Sequence, residues 1–161
     1  VADGFMIHPF ATAQSIREVT LPALERGAAS AGRTLADIEV AFPLMVVAAD
    51  DDHRLQRGLD AIRPRLAFYG STPAYRGVLD VHGWGDLQPE LNTLSKRGDW
   101  AAMTTLITDD MLDAFVVAGR PEEIAGQVRA RYGDALQRVS FDMPNDADAG
   151  RFARVLAGFR A

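Results

Sequence analysis

Residues 67–94 gather Tyr69, Ser71, Thr72, Tyr75, Arg76, His82 and Trp84 among proline and glycine turn signals, a mixture that core packing alone does not require. Ser71 and Thr72 offer hydroxyls, a helix starting near Pro73 offers unpaired backbone N–H groups, and Arg76 offers a guanidinium. Together these suit a phosphate. His8 ends an apolar run directly before Pro9; a histidine there could bind a phosphate, act as an acid or base, or serve as a hydrogen-bonded structural group. Asp50-Asp51-Asp52 admits a metal site but reads as a helix start, where carboxylates cap the N-terminus and meet the positive end of the dipole. His53 falls on the outer face of that helix, and Trp84 reads as packing rather than as a ring stacked on a cofactor.

The elements that position these residues follow from periodicity. Residues 3–8 read as a buried parallel strand stopped by Pro9, and residues 38–49 as a strand covered on both faces, with Pro43 demanding a bulge or an unpaired position. Residues 138–143 alternate Val139, Phe141 and Met143 against Ser140 and Asp142 and stop at Pro144, a third strand. Thr12 caps a helix running to Gly32, with a kink expected at Pro22. Residues 50–118 read as a helical insertion: a long helix after Asp50, a short one after Thr72-Pro73, and others capped by Asp86, Asp99 and Thr108. Pro121-Glu122-Glu123 opens the next helix, and the last begins near Asp146 or Ala147. Without the insertion the order is strand, helix, three times over, which implies an α/β fold with a parallel sheet. Ligands of such sheets lie at the strands' carboxyl ends. The residues there are His8, Pro9 and Thr12, then Ala49 and Asp50, then Asp142, Pro144 and Asn145, and the segment from Tyr69 to Arg76 can fold over them as a lid.

Composition removes several function classes. A net charge of -5 with no basic block lacks the footprint of a nucleic-acid binder. No window approaches the roughly 20 apolar residues of a spanning helix. The lack of cysteine excludes disulfides and thiolate chemistry and accords with a cytoplasmic location. Motifs for dinucleotides, nucleoside triphosphates, zinc proteases and serine hydrolases are missing, and three separated histidines argue against a histidine-based metal site. Three strands cannot close a barrel. With Val1 leading straight into a strand pattern, the expectation is that the chain starts inside a larger domain.

The runs from Ala2 to Pro9, from Leu21 to Gly27 and from Phe68 to Tyr75, with His82-Gly83-Trp84-Gly85-Asp86 and Gly119-Arg120-Pro121-Glu122-Glu123, resemble the C-terminal half of luciferase-like monooxygenases, in the branch using the deazaflavin coenzyme F-420. The resemblance implies a TIM-type eight-stranded barrel, of which residues 1–161 would supply strands six to eight as one portion of a single domain, with residues 50–118 as the insertion. It implies that the loop from His8 to Thr12 contacts the cofactor phosphate or its tail, and that Ser71, Thr72 and Arg76 complete that pocket. Catalytic groups would lie in the other half. The implied activity is hydride transfer between the deazaflavin and an organic small-molecule substrate, the fragment alone being inactive. An FMN-dependent monooxygenase is the alternative within the fold. A non-catalytic half-barrel that self-associates through open strand edges is the alternative outside it. The partners expected are the missing half or further copies of the chain, with neither nucleic acid nor membrane. Arg120 stands where such proteins usually carry a capping threonine.

Overall fold

The computed structural model describes residues 2–142 and 148–160. Its hub is strand β2 (Glu39–Ala48), ten residues whose valines, leucine and methionine favour an extended chain covered on both faces. Strand β1 (Gly4–Met6) pairs with its beginning, β4 (Arg138–Asp142) with its middle and β3 (Val116–Gly119) with its end, all in parallel. Glu39 N–H donates to Asp3, Ala41 C=O accepts from Ile7, and Ala49 N–H donates to Gly119, so the odd-numbered residues of β2 serve one edge, shared by β1 and β3. Val40 C=O accepts from Gln137 N–H, which puts β4 on the opposite edge.

The register explains where β1 stops. Met6 is aligned with Ala41, so the next rung would join Pro43 N–H to Ile7 C=O and Pro9 N–H to Pro43 C=O. Neither N–H exists. The ladder ends there and the chain leaves the sheet at His8. Pro43 therefore needs no bulge: its donor-less nitrogen faces the gap between β1 and β3. The strand expected over residues 3–8 shortens to three residues for the same reason.

Expectation and structure part company at three further points. Val116–Gly119, read as the end of the helical insertion, is β3; four residues are too few to show a period, and what makes them a strand is the free end of β2. The kink expected at Pro22 appears earlier as a π-helical turn (Ile16–Thr20) between α1 (Ala13–Ser15) and α2 (Leu21–Ser30). Leu21 N–H reaches back to Ile16 C=O, and the extra residue in that turn takes up the bond Pro22 cannot make. Asp86 caps nothing with its side chain, being itself helical, whereas Asp51, Asp99 and Thr108 each accept an N-terminal N–H as expected. Met143, Pro144, Asn145 and the helix start near Asp146 and Ala147 lie outside the described residues.

Two apolar layers enclose the sheet. Val40, Phe42, Leu44, Val46 and Ala48 face Ile16, the stripe Ile124, Val128 and Tyr132 of α8 (Pro121–Tyr132), and Val155 of α9 (Ala149–Arg160). Met45 and Val47 face the insertion: α3 (Asp52–Gly70), α4 (Arg76–Asp80), α5 (Leu87–Arg97), α6 (Trp100–Thr105) and α7 (Asp109–Phe115). The insertion thus sits on the carboxyl end of β2 and brings residues 69–84 beside the loop that leaves β1. The outer edge of β1 has no strand partner among the described residues, and Phe5 and Met6 are exposed there.

Candidate functional site

The site begins with the forced exit of the chain after β1. Phe10, 2% exposed, drops into the insertion core and stacks on Phe115 at 4.6 Å. Between the sheet and that anchor His8 stays at the surface. Its Nδ1 accepts Phe10 N–H at 3.1 Å, so the neutral ring carries its proton on Nε2, which lies 3.2 Å from the Tyr75 hydroxyl. The His8 and Tyr75 rings lie face to face at 4.6 Å, and Tyr69 meets His8 edge-on at 5.0 Å. Burial lowers the His8 pKa, and protonation would set an Nδ1–H against the Phe10 N–H. His8 thus favours the neutral form, with its Nε2 facing the Tyr75 hydroxyl.

Thr12 is 1% exposed and its hydroxyl is engaged twice. It accepts Ser15 N–H at 3.1 Å, closing a capping box in which Ser15 Oγ accepts Thr12 N–H, and it meets His82 Nε2 at 2.8 Å. His82 in turn stacks on Trp84 at 4.4 Å, and Gln14 donates to Val81 C=O nearby. Thr12 thus joins the β1 loop to the lid across 70 positions of sequence.

The lid residues separate. Ser71 is 6% exposed; its hydroxyl donates to Phe68 C=O, and its own carbonyl accepts from Gln88 and Asn92 of α5, so it holds the insertion together. Thr72 precedes the 3₁₀ turn Pro73–Tyr75 and makes no capping bond, which leaves its hydroxyl available. Arg76 is half exposed and lies 3.4 Å from Asp80 and 3.9 Å from Asp86, loose surface pairs that an anion could displace. His8, Phe10, Ala74, Tyr75, Val78 and Val19 line a groove of about 240 Å³ that runs along the β1 edge. Tyr75 and His82, which close the contacts between loop and lid, were present in the 67–94 pattern, but nothing in a sequence says that position 82 meets position 12.

The three aspartates have separate duties. Asp51 caps α3 through Arg54 N–H, Asp52 pairs with Arg120 at 2.7 Å, and Asp50 is held by Arg151 and Arg154 of α9, whose hydrogen bonds keep its carboxyl below the usual range. Arg120, a donor-only side chain, cannot cap α8; Glu123 instead accepts the Arg120 backbone N–H at 2.9 Å.

Compared with known families, residues 1–138 match the luciferase-like monooxygenases. The chain belongs to the luciferase-like monooxygenase family. Among curated relatives of this family member, an uncharacterised Mycobacterium tuberculosis protein is 50% identical over 139 residues, covering 86% of the chain and 41% of the relative. The 5,10-methylenetetrahydromethanopterin reductase of Methanopyrus kandleri is 30% identical over 152 residues, covering 92% of the chain and 41% of that enzyme. The solved coenzyme F-420-dependent tetrahydromethanopterin reductase of M. kandleri superposes with a TM-score of 0.69 at 23% identity, over 98% of the chain and 44% of the solved one. The fold is thus part of a TIM-type barrel, and the luciferase-like chain spans about two-fifths of the length of these relatives. Among the described residues no helix is long and apolar enough to cross a membrane.

Proposed function

We propose that this chain is the C-terminal portion, strands six to eight, of an oxidoreductase that transfers hydride between the deazaflavin coenzyme F-420 and an organic substrate. The observation that carries the reading is the 30% identity to a methylenetetrahydromethanopterin reductase over 92% of the chain. Hydride chemistry would belong to the coenzyme, and the protein would hold and orient it and exclude water. In this reading the groove offers the polar tail of such a coenzyme His8 and the Tyr75 hydroxyl, and Thr72 and Arg76, next to the groove residues Ala74 and Tyr75 in the chain though outside its lining, would add a hydroxyl and, once Arg76 leaves Asp80 and Asp86, a charge. Thr12 and Ser71 would act indirectly, Thr12 by tying the β1 loop to His82 and Ser71 by holding α5. In this reading the open edge of β1 pairs with the remainder of the barrel, which supplies the ring-binding groups, and residues 1–161 alone are inactive.

Titrating the full-length protein with oxidised deazaflavin and following its fluorescence tests the assignment. Saturable quenching that weakens about tenfold in Arg76→Ala is expected; a purified protein that carries FMN and neither binds nor reduces deazaflavin would overturn it.

A further inference from the structure

Five consecutive residues of the lid, His82-Gly83-Trp84-Gly85-Asp86, build a clasp on the loop that leaves β1. Gly83 N–H donates to Asp80 C=O and Trp84 N–H to Leu79 C=O, both at 3.0 Å, the reversal by which a helix ends in a left-handed residue. Gly83 supplies that conformation, with a φ of 74°. The reversal folds Trp84 back onto His82, ring over ring at 4.4 Å and 13°, so the indole sets the plane of the imidazole. A Cβ at Gly85 would fall 1.9 Å from Asp80 Oδ1; the bare glycine leaves room for the carboxylate that pairs with Arg76, which in turn lies 3.9 Å from Asp86. The group this assembly aims at the β1 loop is His82 Nε2, 2.8 Å from Thr12 Oγ1.

Three hydrogen bonds fix the protons around that contact. Ser15 N–H donates to Thr12 Oγ1, Thr12 N–H to Ser15 Oγ, and the Ser15 hydroxyl to Thr12 C=O. Among the described residues the Thr12 hydroxyl proton has one acceptor, His82 Nε2. Thr12 is 1% exposed, and a buried donor without an acceptor is costly, so the neutral ring carries its proton on Nδ1 and accepts at Nε2. Protonating His82 places an N–H on Nε2. Thr12 Oγ1 can accept it, but its own proton then has no acceptor among the described residues. Burial also disfavours the imidazolium and outweighs the attraction of Glu18, the acid that acts on the ring from the π-helical turn. Of the other charged residues on the elements around it, Arg17 pairs with Asp134, and Arg76 with Asp80 and Asp86. All these contacts lie inside the chain, at a buried threonine, and none depends on a free surface.

Between Thr12 and His8 stands Phe10, whose ring is anchored on Phe115 and whose N–H donates to His8 Nδ1. Thr12 thus fixes one end of the loop whose other end presents His8. We propose that His82 is a positioning residue for the groove: neutral, it holds the β1 loop by accepting the Thr12 hydroxyl, and protonated, it releases the loop and weakens what the groove binds. The effect on binding rests on the deazaflavin reading of the groove, whereas the effect on the loop does not.

Amide exchange at residues 8–15 of the full-length protein, corrected for the intrinsic pH dependence of exchange, tests this together with deazaflavin titrations on either side of the His82 titration. His82→Ala is expected to speed exchange about tenfold, one hydrogen bond's worth, and to weaken deazaflavin binding by up to about the same factor. His82→Gln, whose amide oxygen can accept the Thr12 hydroxyl but takes up no proton, is expected to recover slow exchange and tight binding and to shrink the pH step of the wild type. His8 titrates in both proteins, so the difference between them isolates His82. A glutamine variant no better than alanine, or a pH step of equal size in wild type and His82→Gln, sinks the assignment. If wild type does not bind deazaflavin while the loop responds as expected, the coenzyme reading falls and the clasp stands; if deazaflavin binds and loop exchange is the same in wild type and His82→Ala, the clasp alone falls.

Discussion

Gly58→Ala should destabilise this protein although alanine is the better helix former. A methyl group at position 58 would lie 2.4 Å from Val47 Cγ1 and 3.6 Å from Val47 Cβ and Cγ2, where carbon atoms normally rest at about 3.5–4.0 Å. Val47 cannot move aside: it is 3% exposed, branched at Cβ and held in register with Ala118 of β3. Relief must come from lifting α3, and overpacking of this kind costs about 1–3 kcal/mol, against a propensity gain of about 1 kcal/mol. A net loss of up to about 2 kcal/mol is expected in urea unfolding of the full-length protein followed by circular dichroism. Val47→Ala alone should cost about 1.6 kcal/mol or more for its two buried carbons. In the double variant the new methyl enters the space Val47 vacates, so the combined loss should fall short of the sum by at least 1 kcal/mol. A stabilised Gly58→Ala, or losses that add within about 0.5 kcal/mol, would show that α3 does not rest on Val47.

The remaining predictions concern the loop, the lid and the charges. Thr12→Val removes the cap of α1 and the partner of His82 together; a loss of about 1–2 kcal/mol in thermal melts is expected, with faster amide exchange at residues 80–84. In a Trp100→Phe background, Trp84 fluorescence should report His82 titrating below the ordinary histidine value of 6.5, since burial lowers its pKa. The folded pKa being depressed, that histidine's contribution to stability is present above 6.5 and is lost as pH falls through the folded value. Asp50 behaves in the same sense at lower pH: its hydrogen bonds to Arg154 and Arg151 stabilise the fold above the ordinary aspartate value of 3.8 and fail as the carboxyl protonates, so Asp50→Asn should flatten the acid limb of the stability profile. His8→Phe keeps a ring against Tyr75 but removes both the Nε2–H and the acceptor of the Phe10 N–H; deazaflavin affinity should fall by about tenfold or more, one hydrogen bond's worth, together with a lowered melting temperature.

Much of the architecture was legible because it rests on local chemistry. The Val- and Met-rich run of β2, the proline after β1, the capping residues Thr12, Asp51, Asp99 and Thr108, and the acidic start of α8 all act through neighbours a few positions away. What stayed hidden depends on distance. Val116–Gly119 becomes a strand because β2 has an unpaired end. Ser71 and Thr72, adjacent and chemically alike, divide because one faces α5 and the other opens outward. Arg76 reads as a free cation until Asp80 and Asp86 are seen beside it. The meeting of Thr12 with His82 belongs to the packing of the insertion on the sheet.

The fork between β1 and β2 is protected twice over. Because the missing rung lacks both donors, at Pro9 and at Pro43, replacing either proline restores one hydrogen bond and leaves the other position still unable to bond. A single substitution therefore adds at most one bond and leaves the rung incomplete, so the loop carrying His8 and Thr12 should keep its point of departure. Only a coordinated change at two sites 34 positions apart in the chain would close the fork, straighten the loop and draw His8 into the sheet.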